Sequence, residues 1–156
     1  MKKISLIIVL TLISAFSAGA VGLAKMCSAV DGVTAITITK QMMGFLSKMQ
    51  SSQFDFASLA GKLNQVEIVN VTDPSQVAGI ETCVKKYLKN NSGYEELLSM
   101  TDDEERINLY LNSDPSGLNE YLIIINESDE LTVVLLQGSI TPDEVSNYTN
   151  IPLISF

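Results

Sequence analysis

Four consecutive acids, Asp102, Asp103, Glu104 and Glu105, are the densest group of side chains in the sequence that could do chemistry. Carboxylates in a run offer hard oxygen ligands to a cation such as calcium, and a carboxylate pair can run general acid and base chemistry of the glycosidase kind. The run lacks the Asp-x-Asp-x-Asp-Gly spacing of a calcium hand, and it falls where a solvated turn tip is expected, away from any concave pocket. A cation or basic-ligand site at these four residues and a carboxylate hydrolase therefore stand as alternatives to a main reading in which the chain is not an enzyme. The other reactive types are Cys27 and Cys83. In an oxidising compartment they can pair as a disulfide. Equally, Cys83 fits a core thiol beside Ile80 and Val84. Neither has a neighbouring His or Arg to activate it as a nucleophile.

What is missing excludes more. The 156 residues contain no histidine, so Ser-His-Asp and Cys-His nucleophiles and His-containing zinc or iron sites are ruled out. Two cysteines cannot form a four-thiolate site, and no Gly-rich phosphate loop occurs. No cofactor is implied. The length allows one domain, and 46% hydrophobic with 18% charged residues describes a chain that folds.

Lys2 and Lys3 precede an apolar run from Ile4 to Phe16 and the small residues Ala18-Gly19-Ala20. This is the pattern of a secretory signal peptide, with cleavage expected after Ala20 and a single domain over 21–156. Export to the periplasm or cell envelope follows. Association with the membrane is expected only if the leader stays uncleaved as an anchor. Residues 21–100 balance seven acids with seven bases, whereas residues 101–156 carry eleven acids and only Arg106. Such a field repels nucleic acid and favours cations or a basic partner.

These side chains need a scaffold, and the periodicities supply one. Thr34 to Lys40 and Val66 to Val71 alternate as strands. Met42, Met43, Phe45, Leu46 and Met49 recur at helical spacing, and Asp55 can cap a short helix carrying Phe56, Leu59, Ala60 and Leu63. Asp73-Pro74 opens a longer helix with Val77, Ile80, Val84, Tyr87 and Leu88 on its buried face, and Gly93 stops it. Beyond it the period is two, with strands at Glu95 to Thr101, Arg106 to Asn112, Glu120 to Asn126 and Leu131 to Gln137. Short polar links between them dictate hairpins, hence an antiparallel meander. Thr141-Pro142 opens a last helix. The class is α+β, an antiparallel-rich sheet with short helices packed on one face.

Leu122 to Ile125 and Val133 to Leu136 are apolar on both faces of their strands, as in strands covered from both sides. With helices on one face only, Leu122, Ile124, Val134 and Leu136 become candidates for an interface, with an envelope protein or a second copy as partner; the apolar tail Ile151 to Phe156 is the alternative cover.

The order of these elements, with the phrases Asp31-Gly32-Val33, Gly93-Tyr94-Glu95-Glu96-Leu97 and Leu136-Gln137-Gly138, resembles the secreted "domain of unknown function 4252" family over nearly the whole mature chain. The resemblance implies a small α+β envelope protein of Gram-negative Bacteroidota and, for genes of this type near extracytoplasmic sigma-factor genes, a regulatory role. It carries over no catalytic residue. The sequence reading is thus an exported, non-enzymatic interaction or regulatory module.

Overall fold

The computed structural model describes residues 22–46 and 61–149. The expected signal peptide and its cleavage site, the apolar position Met49, most of the helix expected from Asp55 and the tail Ile151 to Phe156 lie outside the described residues.

The chain runs α1 (Leu23–Cys27), β1 (Thr34–Thr39), α2 (Lys40–Leu46), β2 (Leu63–Val71), α3 (Pro74–Asn90), β3 (Glu95–Thr101), β4 (Glu105–Ser113), β5 (Asn119–Glu127), β6 (Leu131–Gly138) and α4 (Pro142–Thr149). The six strands form one antiparallel sheet in the order β1-β2-β6-β5-β4-β3. β3 to β6 are the expected meander of hairpins. The β1–β2 pair then joins the far side of β6, so that Val71 opposes Leu131 and Val66 opposes Leu136.

Local chemistry sets the helix ends. Asp73 accepts a hydrogen bond from Ser75 N at 2.9 Å while Pro74 occupies the first helical position, where its missing N–H costs nothing. Gly93, at φ +103, makes the left-handed turn from α3 into β3. α4 begins with a reciprocal cap: Thr141 N donates to Glu144 Oε2 at 3.0 Å, and Glu144 N donates to Thr141 Oγ1 at 3.4 Å. Lys62 also pairs with Glu144, tying α4 to the start of β2.

Alternation along the strands produces two cores. On one face, Val69 and Val71 of β2, Leu131, Val133 and Leu135 of β6 and Leu122 of β5 pack under α1 and α3. On the other, Val66, Tyr121, Ile123, Ile107 and Leu109 pack with Met43 of α2 and Val145 of α4. Helices therefore lie on both faces, not one as the sequence suggested. The physical reason is the one the apolar runs in β5 and β6 already contained: strands greasy on both sides must be covered on both sides. Each fully buried Leu or Ile contributes about 1.5–3 kcal/mol of burial free energy.

Leu63 is a second departure, since it opens β2 instead of closing a helix. It pairs with Gly138, and a bulge follows between Leu63 and Gln65. A β-carbon at Gly138 would sit 2.1 Å from the Lys62 carbonyl oxygen, so only glycine admits this approach.

Candidate functional site

The acidic run forms the turn between β3 and β4. Asp102 spends its own carboxylate there: Oδ1 accepts from Glu104 N at 2.9 Å and from Glu105 N at 3.1 Å, while Asp102 N donates to the Glu105 carbonyl at 2.9 Å. Asp103 and Glu104 are exposed. Among the described residues, no three or more His, Cys, Asp or Glu side chains are grouped to hold a metal ion. Asp102, Asp103, Glu104 and Glu105 thus form a solvated hairpin tip, with one oxygen of Asp102 committed to closing the turn.

Cys27 and Cys83 are bonded to each other, with Cα atoms 5.8 Å apart. The bond staples α1 to α3, and the buried thiol alternative is set aside.

Two carboxyls that the sequence reading passed over are engaged in the fold instead, Glu67 buried and Glu120 half-buried. Glu67 of β2 is 2% exposed, on the same face as Val69 and Val71. Its Oε2 accepts from Ala24 N at 2.7 Å, and its Oε1 from Gln65 Nε2 at 2.5 Å. Ala24 lies in the first turn of α1, so Glu67 takes up an amide that the helix cannot bond itself, at the end where the dipole favours an acid. On β5, Glu120 accepts from the Tyr87 hydroxyl at 2.8 Å and from Gln137. Gln65, Gln137, Glu120 and Asn112 occupy one register row across four strands, a polar belt at the end of the α3 face. Both oxygens of each of these carboxyls are thereby engaged in structural bonds. A signal did exist in the sequence: alternation in β2 sets Glu67 on the side of Val69 and Val71, an acid on an apolar face.

Burial, then the charge of Glu120, pushes the Tyr87 phenol far above its ordinary value of 10.0, and burial pushes Tyr121 up to about 12. The Tyr121 hydroxyl donates to the Ile140 carbonyl at 2.8 Å. A raised folded-state value means that the neutral phenol is favoured in the fold. The associated stability is complete below pH 10 and is lost as pH rises from 10 toward 12 and beyond. In an ultraviolet titration of the five tyrosines, Tyr87 and Tyr121 should ionise only together with loss of the circular dichroism signal. Five phenols ionising near pH 10 in an intact fold would contradict the burial argument.

The interface candidates need a correction as well. In the observed register Leu122 opposes Leu135 and Ile123 opposes Val134, so even positions of β5 share a face with odd positions of β6. Leu122 is 0% exposed beneath α3, and Ile124 packs against the same core. Val134 and Leu136 belong to the opposite face. The four cannot form one surface.

The exposed large apolar side chains lie mainly elsewhere. Ile36 is 45% exposed on β1, and Met42 and Phe45 are 52% and 60% exposed on α2, which follows β1 without a loop. β1 is an edge of the sheet, and Thr34–Thr39 contains no charge, no proline and no bulge. The other edge, β3, carries Glu95 and Glu96 and a bulge between Glu96 and Leu98. Charges and bulges are the usual guards against strand addition, so among the described residues one edge is guarded and the other open. The alternation of β1 was legible in the sequence; its edge position depends on the distant β2–β6 pairing and was not.

Residues 28–148 match the family described as Domain of unknown function (DUF4252). The chain belongs to this family. No curated protein and no solved structure matches it. The DUF4252 match takes in all six strands, the open β1 edge, Glu67 and Cys83, and it begins one residue after Cys27. Helix α1 therefore precedes the DUF4252 region and is held on it by the disulfide and by Glu67. Among the described residues no helix is long and apolar enough to cross a membrane.

Proposed function

We propose that this DUF4252 protein is an exported, non-catalytic interaction module of a Bacteroidota-type cell envelope, and that it binds protein through the β1 edge and the adjoining face of α2. The carrying observation is the exposure of Ile36, Met42 and Phe45 on and after an edge strand that itself carries no charge, proline or bulge. Apolar groups clustered at an open edge are the raw material of strand-addition interfaces, where backbone bonds give affinity and flanking side chains give selectivity. A non-catalytic role is supported by the use of Glu67 and Glu120 as structural acceptors and of both cysteines as a staple. Export is supported by the Lys2-Lys3 leader with Ala18-Gly19-Ala20, and a disulfide suits an oxidising compartment.

A photo-crosslinking residue placed at Phe45 of the full chain in living cells tests the reading, with Lys86, exposed on α3, as control position. Adducts from position 45 and none from 86 are expected, on a protein whose mature N-terminus is Val21. Equal labelling from both positions, or an unprocessed chain retained in the cytoplasm, would overturn it.

A further inference from the structure

The occupant of the open edge can be named more closely, on the footing that the β1 edge is an interaction surface. We infer that it is β1 of a second copy of this chain, paired antiparallel about a two-fold axis through Thr37.

The sequence of the strand is the first ground. Ile36-Thr37-Ile38 reads the same in both directions. A two-fold axis normal to the sheet at Thr37 sets Thr37 opposite the partner's Thr37 and Ile36 opposite the partner's Ile38. Such an axis also keeps each sheet face on its own side. Ile36 and Ile38, which oppose Ile68 and Val66 in the chain itself, would continue the same apolar face into the second copy. β-branched residues facing one another are among the better cross-strand pairs, and the half-exposed Ile36 would be covered.

Charge is the second ground. Each chain carries a formal net charge of −8, which opposes self-association at most surfaces. β1 has no charged side chain, and the eleven acids of residues 101–156 belong to other elements. Antiparallel pairing brings the Lys40 end of each strand toward the Asp31 end of the other, opposite signs at both flanks. The guarded β3 edge offers no such match, since Glu95 and Glu96 would repel their own copies.

Closure is the third. One open and one guarded edge permit a single round of strand addition, so pairing ends at a dimer with a continuous twelve-stranded sheet and does not propagate as a fibre. Met42 and Phe45, at the end of β1, would then flank the start of the partner's strand.

Thr37 is exposed but opposes Glu67 within the chain, so a charge exchange there is tested in both signs and with the fold monitored. Sedimentation of the full mature chain should give a dimer. Thr37→Lys and Thr37→Glu, each with an unchanged circular dichroism spectrum, should sediment as monomers, because like charges then face each other on the axis. An equimolar mixture of the two should recover the dimer. A monomeric native chain, or a dimer indifferent to Thr37→Lys, would overturn the inference. A monomeric native chain whose position 45 still crosslinks to a different protein would remove the second copy and leave the interaction reading standing. A monomer with no specific adduct at position 45 would remove both.

Discussion

Replacing Cys27 and Cys83 together by alanine should lower the unfolding free energy by about 4 kcal/mol. The two cysteines are 56 residues apart in sequence, and a crosslink closing a loop of that length removes roughly this much chain entropy from the unfolded state. The folded state suffers too. α1 has five residues, too few to hold helical form alone, yet Leu23, Ala24 and Cys27 are all buried against the sheet and α3. Urea unfolding with and without a reductant measures the effect. The native chain should lose stability on reduction, and the double alanine variant should not respond. A loss below about 1 kcal/mol would contradict the loop-entropy account.

Glu67→Ala should cost about 3 kcal/mol. The substitution leaves the buried Ala24 amide without an acceptor and opens a void between α1 and β2, and these penalties outweigh the relief of no longer desolvating a carboxyl group. Glu67→Gln keeps an oxygen for Ala24 N and should cost about 1 kcal/mol, chiefly the weaker interaction with the helix N-terminus. Amide exchange at Ala24, read beside global unfolding, separates local release of α1 from general loosening. Equal costs for the two variants would show that the acceptor role is not what Glu67 contributes. Since Glu67 and the disulfide anchor the same five residues, the effects of Glu67→Ala and of reduction should fall short of additivity.

Much of this scaffold was legible in the sequence alone. The four meander strands follow from a period of two broken by short polar links, and α3 from the Asp73-Pro74 opening, the spacing of Ile80, Val84 and Tyr87, and Gly93. Those signals are local, so the chain states them wherever it ends up. What was not legible depends on contacts between distant segments. α1 is too short for a periodic signature and exists because Cys83 and Glu67 hold it. The edge position of β1, and the side on which Leu122 or Val134 is covered, are decided by β2 pairing with β6, across a separation that no window of sequence spans. The task of Asp102 was not legible for a related reason: that its carboxylate closes its own turn depends on the path of the backbone, which four adjacent carboxylates do not state.

The central position of β6 governs when this sheet can come into being. β6 stands between the β1–β2 pair and the β5–β4–β3 strands, although it is the last of the described strands in sequence. A polypeptide emerging from its N-terminus, from a ribosome or through a translocation channel, can form the β1–β2 pair and, later, the β3 to β5 hairpins, but has nothing to join them with until residues 131–138 have arrived. Both cores lack their middle strand up to that moment. Assembly is therefore deferred until β6 has been delivered, which keeps the preceding strands threadable until then, and a truncation that removes β6 should leave two unjoined halves where loss of an edge strand would only trim the sheet.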